Sequence, residues 1–333
     1  MSLLKIISIL LLLSGCTALN DFFNPITETD KKLLEEASLN FEPLPSIDYQ
    51  KMDEVSKARI DLGKKLYLDP ILSINNQISC NSCHKLDGFG VDNEATSPGH
   101  EGKRGDRNSP TSFNAFLHIS QFWDGRARDV EEQALGPILN PVEMGMPNEK
   151  AVLNKLTALP SYKADFKKAF PSDKTPIKYR NIGIAIGAFE RMLVTPSKFD
   201  DYLKGDIRAL STIERSGLNK FIEVGCVSCH NGSTVGGGMY QKLGAVEEYP
   251  HNEDLGLYNV TKNEDDKFFF KVPSLRNVEK TGPWFHDGSI TDLDEAIRIM
   301  GQYQLGVELS ATDISEIRAF LSSLTGQTPD IAN

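Results

Sequence analysis

Two short strings combine residue types that do chemistry: "CNSCHK" starting at Cys80 and "CVSCHN" starting at Cys226. Each sets two thiols three positions apart, with an imidazole directly after the second. Three chemistries use such a pair. A structural zinc gathers four ligands in one place, but these pairs stand far apart in the chain. A redox dithiol belongs in a βαβ setting, which the surrounding sequence lacks. On a helical turn, both thiols of a pair lie on one face. There they reach the two vinyl groups of a haem, and the adjacent histidine reaches the iron. The repeated pattern points to two covalently bound haem c groups. One is held by Cys80, Cys83 and His84, the other by Cys226, Cys229 and His230.

The opposite side of each iron decides what it can do. The histidines outside the two motifs are His100, His118, His251 and His286. His100 sits in the loop "SPGHEGKRGDRNSPT", which can carry it over the first iron or leave it as a solvated loop residue. In the second half the thioethers are Met239 and Met300. A thioether ligand raises an iron's reduction potential relative to two imidazoles, whereas a methionine used for packing does not touch the iron.

The elements that must position these groups are helical. "ARIDLGKKLYLD" leads into the first motif. "STIERSGLNKFIEVG", opened by the capping box Ser211-x-x-Glu214, delivers the second. "DVEEQALGPIL", "NEKAVLNKLTAL" with Asn148 as N-cap, and the largely apolar "YRNIGIAIGAFERML" also read as helices. So do "TDLDEAIRIMGQY", with Thr291-x-x-Asp294 at its start, and "TDISEIRAFLSSL". Residues 88–127 are rich in Gly, Pro, Asn and Ser, and a loop of that length usually has a function. "DKFFFKV" is the best strand signal. "FWDGRARDVEEQA" matches "FHDGSITDLDEAI", each copy downstream of its own CxxCH. The expected fold is mainly α, with two cytochrome c-like domains related by internal duplication, each carrying one covalent haem c.

The N-terminus reads "MSLLKIISILLLLSGC", one lysine and then an apolar run too short for a comfortable membrane span. Leu13-Ser14-Gly15-Cys16 resembles a lipobox, so residues 1–16 are expected to be a lipoprotein signal with Cys16 lipidated. Thr17 at the next position favours the outer membrane, with the folded part in the periplasm and the membrane met only through the lipid. Residues 17–45 read as a tether, because Pro43 and Pro45 stop its one short helix. Residues 46–196 and 197–333 then form the N- and C-terminal haem domains. Cys16 is one of five cysteines, and the other four all belong to CxxCH. The 333 residues carry a net charge of -10, which excludes a nucleic-acid surface and suits a small basic electron carrier.

Taken together, "LGKKLYLDPILS", "ISCNSCH", "FGVDNEATSPGHEGKRGDRNSPTSFNA", "FWDGRA", "NPVEMG", "GCVSCHNG", "FKVPSLRNV", "TGPWFHDGS" and "MGQYQLG" resemble the bacterial di-haem cytochrome c peroxidases. The resemblance covers nearly everything after the tether. It implies reduction of hydrogen peroxide to water, with electrons from a small cytochrome c or cupredoxin. It also implies a homodimer and a low-potential peroxidatic haem in the N-terminal half, with His100 as removable ligand. The C-terminal haem would be the high-potential entry point, with Met300 on its iron. Glu143 falls at the acid/base position, Gln133 at a distal polar position and Trp123 between the haems. Asn108, Thr281 and Pro283 fall where the family binds calcium. Two alternatives stay open. Superfamily enzymes that oxidise a partner's tryptophans to a quinone cofactor have a tyrosine where Met300 falls. A non-catalytic di-haem electron carrier would need neither Glu143 nor a displaceable His100.

Overall fold

The computed structural model describes residues 25–250 and 253–332; the expected signal, Cys16 and His251 lie outside them. Two hydrophobic cores organise the chain, and each is built on one close helix crossing. In the first, Glu54–Leu68 meets Tyr179–Glu190; in the second, Thr212–Glu223 meets Ala311–Ser323. Glycine makes both approaches possible. A Cβ on Gly63 would lie 1.9 Å from the Ala185 carbonyl oxygen, and one on Gly217 would lie 1.8 Å from that of Glu316. No side chain fits where two backbones touch. One turn later, Tyr67 packs on Phe189 at 5.3 Å and Phe221 on Phe320 at 5.2 Å between ring centroids.

The correspondence continues into the loops. Asn114 and Asn277 are both left-handed, with φ 61° and 62°. Their backbone N–H groups donate to the carbonyls of Leu193 and Leu324. Both side-chain amides donate to the same Thr195 hydroxyl, at 2.8 and 2.9 Å. Phe122 and Phe285 share a positive φ, and bridges Gln121–Ala127 and Trp284–Ile290 flank them. The two asparagines, the two phenylalanines and the two bridges share one sequence offset, as a duplicated unit requires.

Local signals hold where the interaction is local. Asn148 Oδ1 accepts from Ala151 N to start Glu149–Ala158, and Ser211 with Glu214 forms its capping box. "DKFFFKV" supplies the strand Phe269–Lys271, which pairs antiparallel with Tyr240–Lys242. "DVEEQALGPIL" is not one helix but two short ones, Val130–Gln133 and Gly136–Leu139. Pro137 lacks the N–H that a continuous helix would need. The helix expected from Thr291 starts one residue later: Asp292 caps Leu293–Ile299, which runs into a π-helical turn, Met300–Leu305.

The stretch expected as a tether is folded from Glu28 onward. Helix Glu28–Asn40 buries Leu33 and Ala37, and Phe41 follows them into the second core. Their spacing makes one apolar stripe. Arg215 Nε donates to Asp30 Oδ1 at 2.8 Å, and Leu44 N–H donates to Asp200 Oδ1 at 2.7 Å. Among the described residues, no helix is long and apolar enough to cross a membrane.

Candidate active site

The second CxxCH follows directly on the glycine-bearing helix Thr212–Glu223, whereas the 3-10 turn Pro70–Leu72 and a loop separate the first from Glu54–Leu68. Cys80–Cys83 forms one helical turn, and Tyr67 Oη donates to the His84 carbonyl at 2.7 Å. The Nδ1 atoms of His84 and His230 are buried without a partner at hydrogen-bonding geometry. Both face backbone carbonyls: Gly90 and Pro110 for His84, Val235 and Pro273 for His230. Burial lowers the pKa of His84, and that of His230 to about 4, so both rings are neutral. With Nδ1 turned into the protein, Nε2 is the nitrogen left for a metal, the usual arrangement of a ligating histidine.

Burial pushes the Cys83 thiol up to about 11 and Cys226 to about 12, with Cys80 higher still. A redox dithiol needs a thiol held low, so that reading has no support here. Among the described residues, no three His, Cys, Asp or Glu side chains come together to hold a metal ion, so zinc lacks a donor set.

The second motif opens onto a cavity of about 250 Å³ lined by Cys226, Cys229, His230 and Met300, with Phe221, Ile297 and Leu309 among its apolar walls. Met300 begins the π-helical turn, a form that recurs at functional sites. Met239 does not line this cavity. Apolar walls that include two thiols, an imidazole and a thioether suit a porphyrin.

At the first site, Glu143 is half-buried in the turn after Asn140, whose Nδ2 donates to its Oε1 at 2.7 Å. Burial raises its pKa, against the pull of Arg126 and of the Asn140 amide. His100 packs on the same turn. Its N–H donates to the carbonyls of Val142 and Glu143, its ring lies against Gly145, and its Nε2 is 3.7 Å from Glu101 Oε1. Gln133 ends the Val130–Gln133 helix half-buried.

Trp123 joins the halves. Its Nε1 donates to the Asn108 carbonyl at 2.9 Å, and its own carbonyl accepts from Lys271 N at 2.8 Å. Asn108 uses Nδ2 on the carbonyls of Glu94 and Ala95. Its Oδ1 and the carbonyls of Thr281 and Pro283 accept no hydrogen bond among the described residues. Three unused oxygens where the two halves of the chain meet are the donor type a hard cation takes.

Sequence reading missed the clasps around that seam. Asn93 Nδ2 donates to the carbonyls of Lys280 and Gly282. Arg107 bridges Asp124 at 2.5 Å and Asp254 at 2.6 Å. Burial works against the charge on Asp254, but Arg107 holds its pKa below the ordinary carboxylate value. No spacing rule pairs residues so distant in the chain.

A family described as "Di-haem cytochrome c peroxidase" matches residues 57–208. The chain is 43% identical over 316 residues to the cytochrome c551 peroxidase of Pseudomonas aeruginosa, covering 93% of this chain and 91% of that one. The chain belongs to the di-haem cytochrome c peroxidase family. It is also 49% identical over 273 residues to the cytochrome c551 peroxidase of Nitrosomonas europaea, covering 81% of this chain and 80% of that one. Among solved structures, a MauG-like protein associated with microbial copper homeostasis superposes with a TM-score of 0.76. It is 27% identical, and the match covers 87% of this chain and 95% of that one. As a di-haem peroxidase family member, the chain is an oxidoreductase of mainly helical fold, and the family implies two haem c groups.

Proposed function

We propose that this protein reduces hydrogen peroxide to two waters, using two electrons and two protons, in the periplasm. Where bound, one haem c in each half supplies the iron redox chemistry. Cys226, Cys229, His230 and Met300 hold the C-terminal site, where electrons enter from a small cytochrome c or cupredoxin. Cys80, Cys83, His84 and a displaceable His100 hold the N-terminal site, where peroxide reacts. The domains are 46–196 and 197–333, with the helix Glu28–Asn40 docked on the second. Cys16 anchors the chain to the outer membrane, and the working unit is a homodimer.

One observation carries this reading: the half-buried carboxyl of Glu143, held by Asn140 at 2.7 Å, stands on the turn to which His100 N–H donates, and burial raises its pKa. Proton transfer beside that site is what a peroxidase needs and an electron carrier does not. A carboxyl with a raised pKa can take a proton from one peroxide oxygen and deliver it to the other. Gln133 adds a polar group there. His100 is the displaceable group of this reading: its ring lies against Gly145, and Glu101 and Gly102 beside it are left-handed. Trp123 spans the halves as the electron path. Asn108, Thr281 and Pro283 hold calcium, which ties the halves together.

The test is direct. Purified protein is expected to show two haems per chain. In the half-reduced state with calcium, it is expected to oxidise reduced cytochrome c when peroxide is added. Two haems without turnover would leave the electron-carrier reading in its place. Met300→Ala is expected to move the C-terminal potential sharply downward, because the thioether is lost, while Met239→Leu leaves it unchanged. Spectroelectrochemical titration reads both. Met300, at the position where the tryptophan-oxidising enzymes have tyrosine, also favours the peroxidase.

A further inference from the structure

The second half contains a buried ammonium that the reading above does not use. Lys271 is 5% exposed. Its Nζ donates to the Ser120 carbonyl at 2.9 Å and lies 3.4 Å from His118 Nδ1. The acidic group that acts on it is Asp124, which is paired with Arg107 and Arg126. His118 leaves Nε2 buried without a partner. Both side chains line the cavity that contains Cys226, Cys229, His230 and Met300. An ammonium removed from water and held by one carbonyl and one imidazole is poorly compensated. Burial draws the Lys271 pKa down to about 7, with only Asp124 pulling upward. Burial and the nearby lysine charge keep His118 neutral. A neutral His118 that accepts from Lys271 at Nδ1 carries its proton on Nε2. His118 Nε2–H thus lacks an acceptor, and Lys271 Nζ, with Ser120 and His118 as its acceptors, has one N–H left over in the same cavity.

The duplication marks this position as distinct. "NSPTSFNA" and "KVPSLRNV" align, with Pro110 over Pro273 and Asn114 over Asn277, which sets Lys271 over Asn108. Both residues bond Trp123 through their backbones. At the same place in the fold, one half offers an amide oxygen and the other an ammonium. The first suits a cation and the second an anion.

We propose that Lys271 and His118 form the carboxylate cradle of the C-terminal site, holding one propionate of its haem at the seam between the halves. This rests on the reading of Cys226–His230 as a haem site. The contact is an ion pair with His118 Nε2–H as second donor, and no bond is made or broken. Lys271 is thus a positioning residue. Its positive charge beside the porphyrin also favours the reduced iron, which suits the half that accepts electrons.

The experiment uses the holoprotein with Lys271→Met. Haems per chain are counted, each potential is read by spectroelectrochemistry, and the propionate bending modes are read by resonance Raman. The expected result is two haems, a lowered C-terminal potential, shifted propionate modes and an unchanged N-terminal potential. Lys271→Arg should restore most of the change. Lys271→Gln, which keeps a neutral donor toward Ser120, is read in parallel and should shift in the same direction even if the methionine variant does not fold. Two haems with wild-type potentials and modes in either neutral variant would overturn the Lys271 assignment alone. A wild-type chain with a single haem would overturn the reading of the second site along with it.

Discussion

Replacing Glu143 by glutamine is expected to lower peroxide turnover by about 10²- to 10⁴-fold, the usual contribution of one positioned acid/base. Both haems should remain. The amide keeps the size of the side chain and the contact with Asn140 Nδ2, so the change removes proton transfer with little repacking. The pH profile provides an independent check. Burial disfavours the charged carboxylate, so the Glu143 pKa lies above that of an ordinary glutamate. Activity that needs the ionised form therefore rises with pH through that raised pKa and is lost below it. The acid limb of kcat/KM should appear above the ordinary glutamate range in the wild type and vanish in the variant. Full turnover in Glu143→Gln would remove Glu143 from the mechanism.

Arg276→Met should cost about 3–5 kcal/mol of stability, the range for breaking one side of a buried ion pair. Arg276 and Asp200 are both fully buried. Two parallel bonds join them, at 2.7 and 3.0 Å. Arg276 Nε also donates to the Ser233 carbonyl. Asp200 further accepts from Ser197 N, at the start of Lys198–Leu203, and from Leu44 N in the segment after Glu28–Asn40. Removing the guanidinium leaves a buried anion with N–H donors but no counter-charge at the point where three parts of the second core meet. Denaturant unfolding at matched haem content measures the loss. Lys31→Met, which breaks the exposed pair with Glu28, is the control and should change stability by no more than about 1 kcal/mol. Equal effects of the two substitutions would show that the Arg276–Asp200 pair is not supporting the core.

Legibility in the sequence followed the distance over which each interaction acts. The caps at Asn148 and Ser211 were readable because both partners lie within one helical turn. Pro137 carried its own helix break, yet the periodicity around it suggested continuity. The docking of Glu28–Asn40 was not readable. Leu33, Ala37 and Phe41 form a stripe, but nothing in a stripe names the surface that will cover it. The same holds for Asn93 on the 280–282 loop, Arg107 on Asp254 and Lys271 beside His118.

By itself, the sequence determined the reactive groups and their plan. Two CxxCH motifs, each after a helix, and a repeated Phe-x-Asp-Gly segment set the chemistry and the duplication, because bonding groups a few residues apart meet in any helical turn. Only the tertiary structure decided that Met300 rather than Met239 lines the second cavity, that Glu143 is half-buried on the turn that holds His100, and that Lys271 is shut away from water. Desolvation and proximity across the chain arise from packing, and packing is set by all the residues around a site rather than by the few that form it.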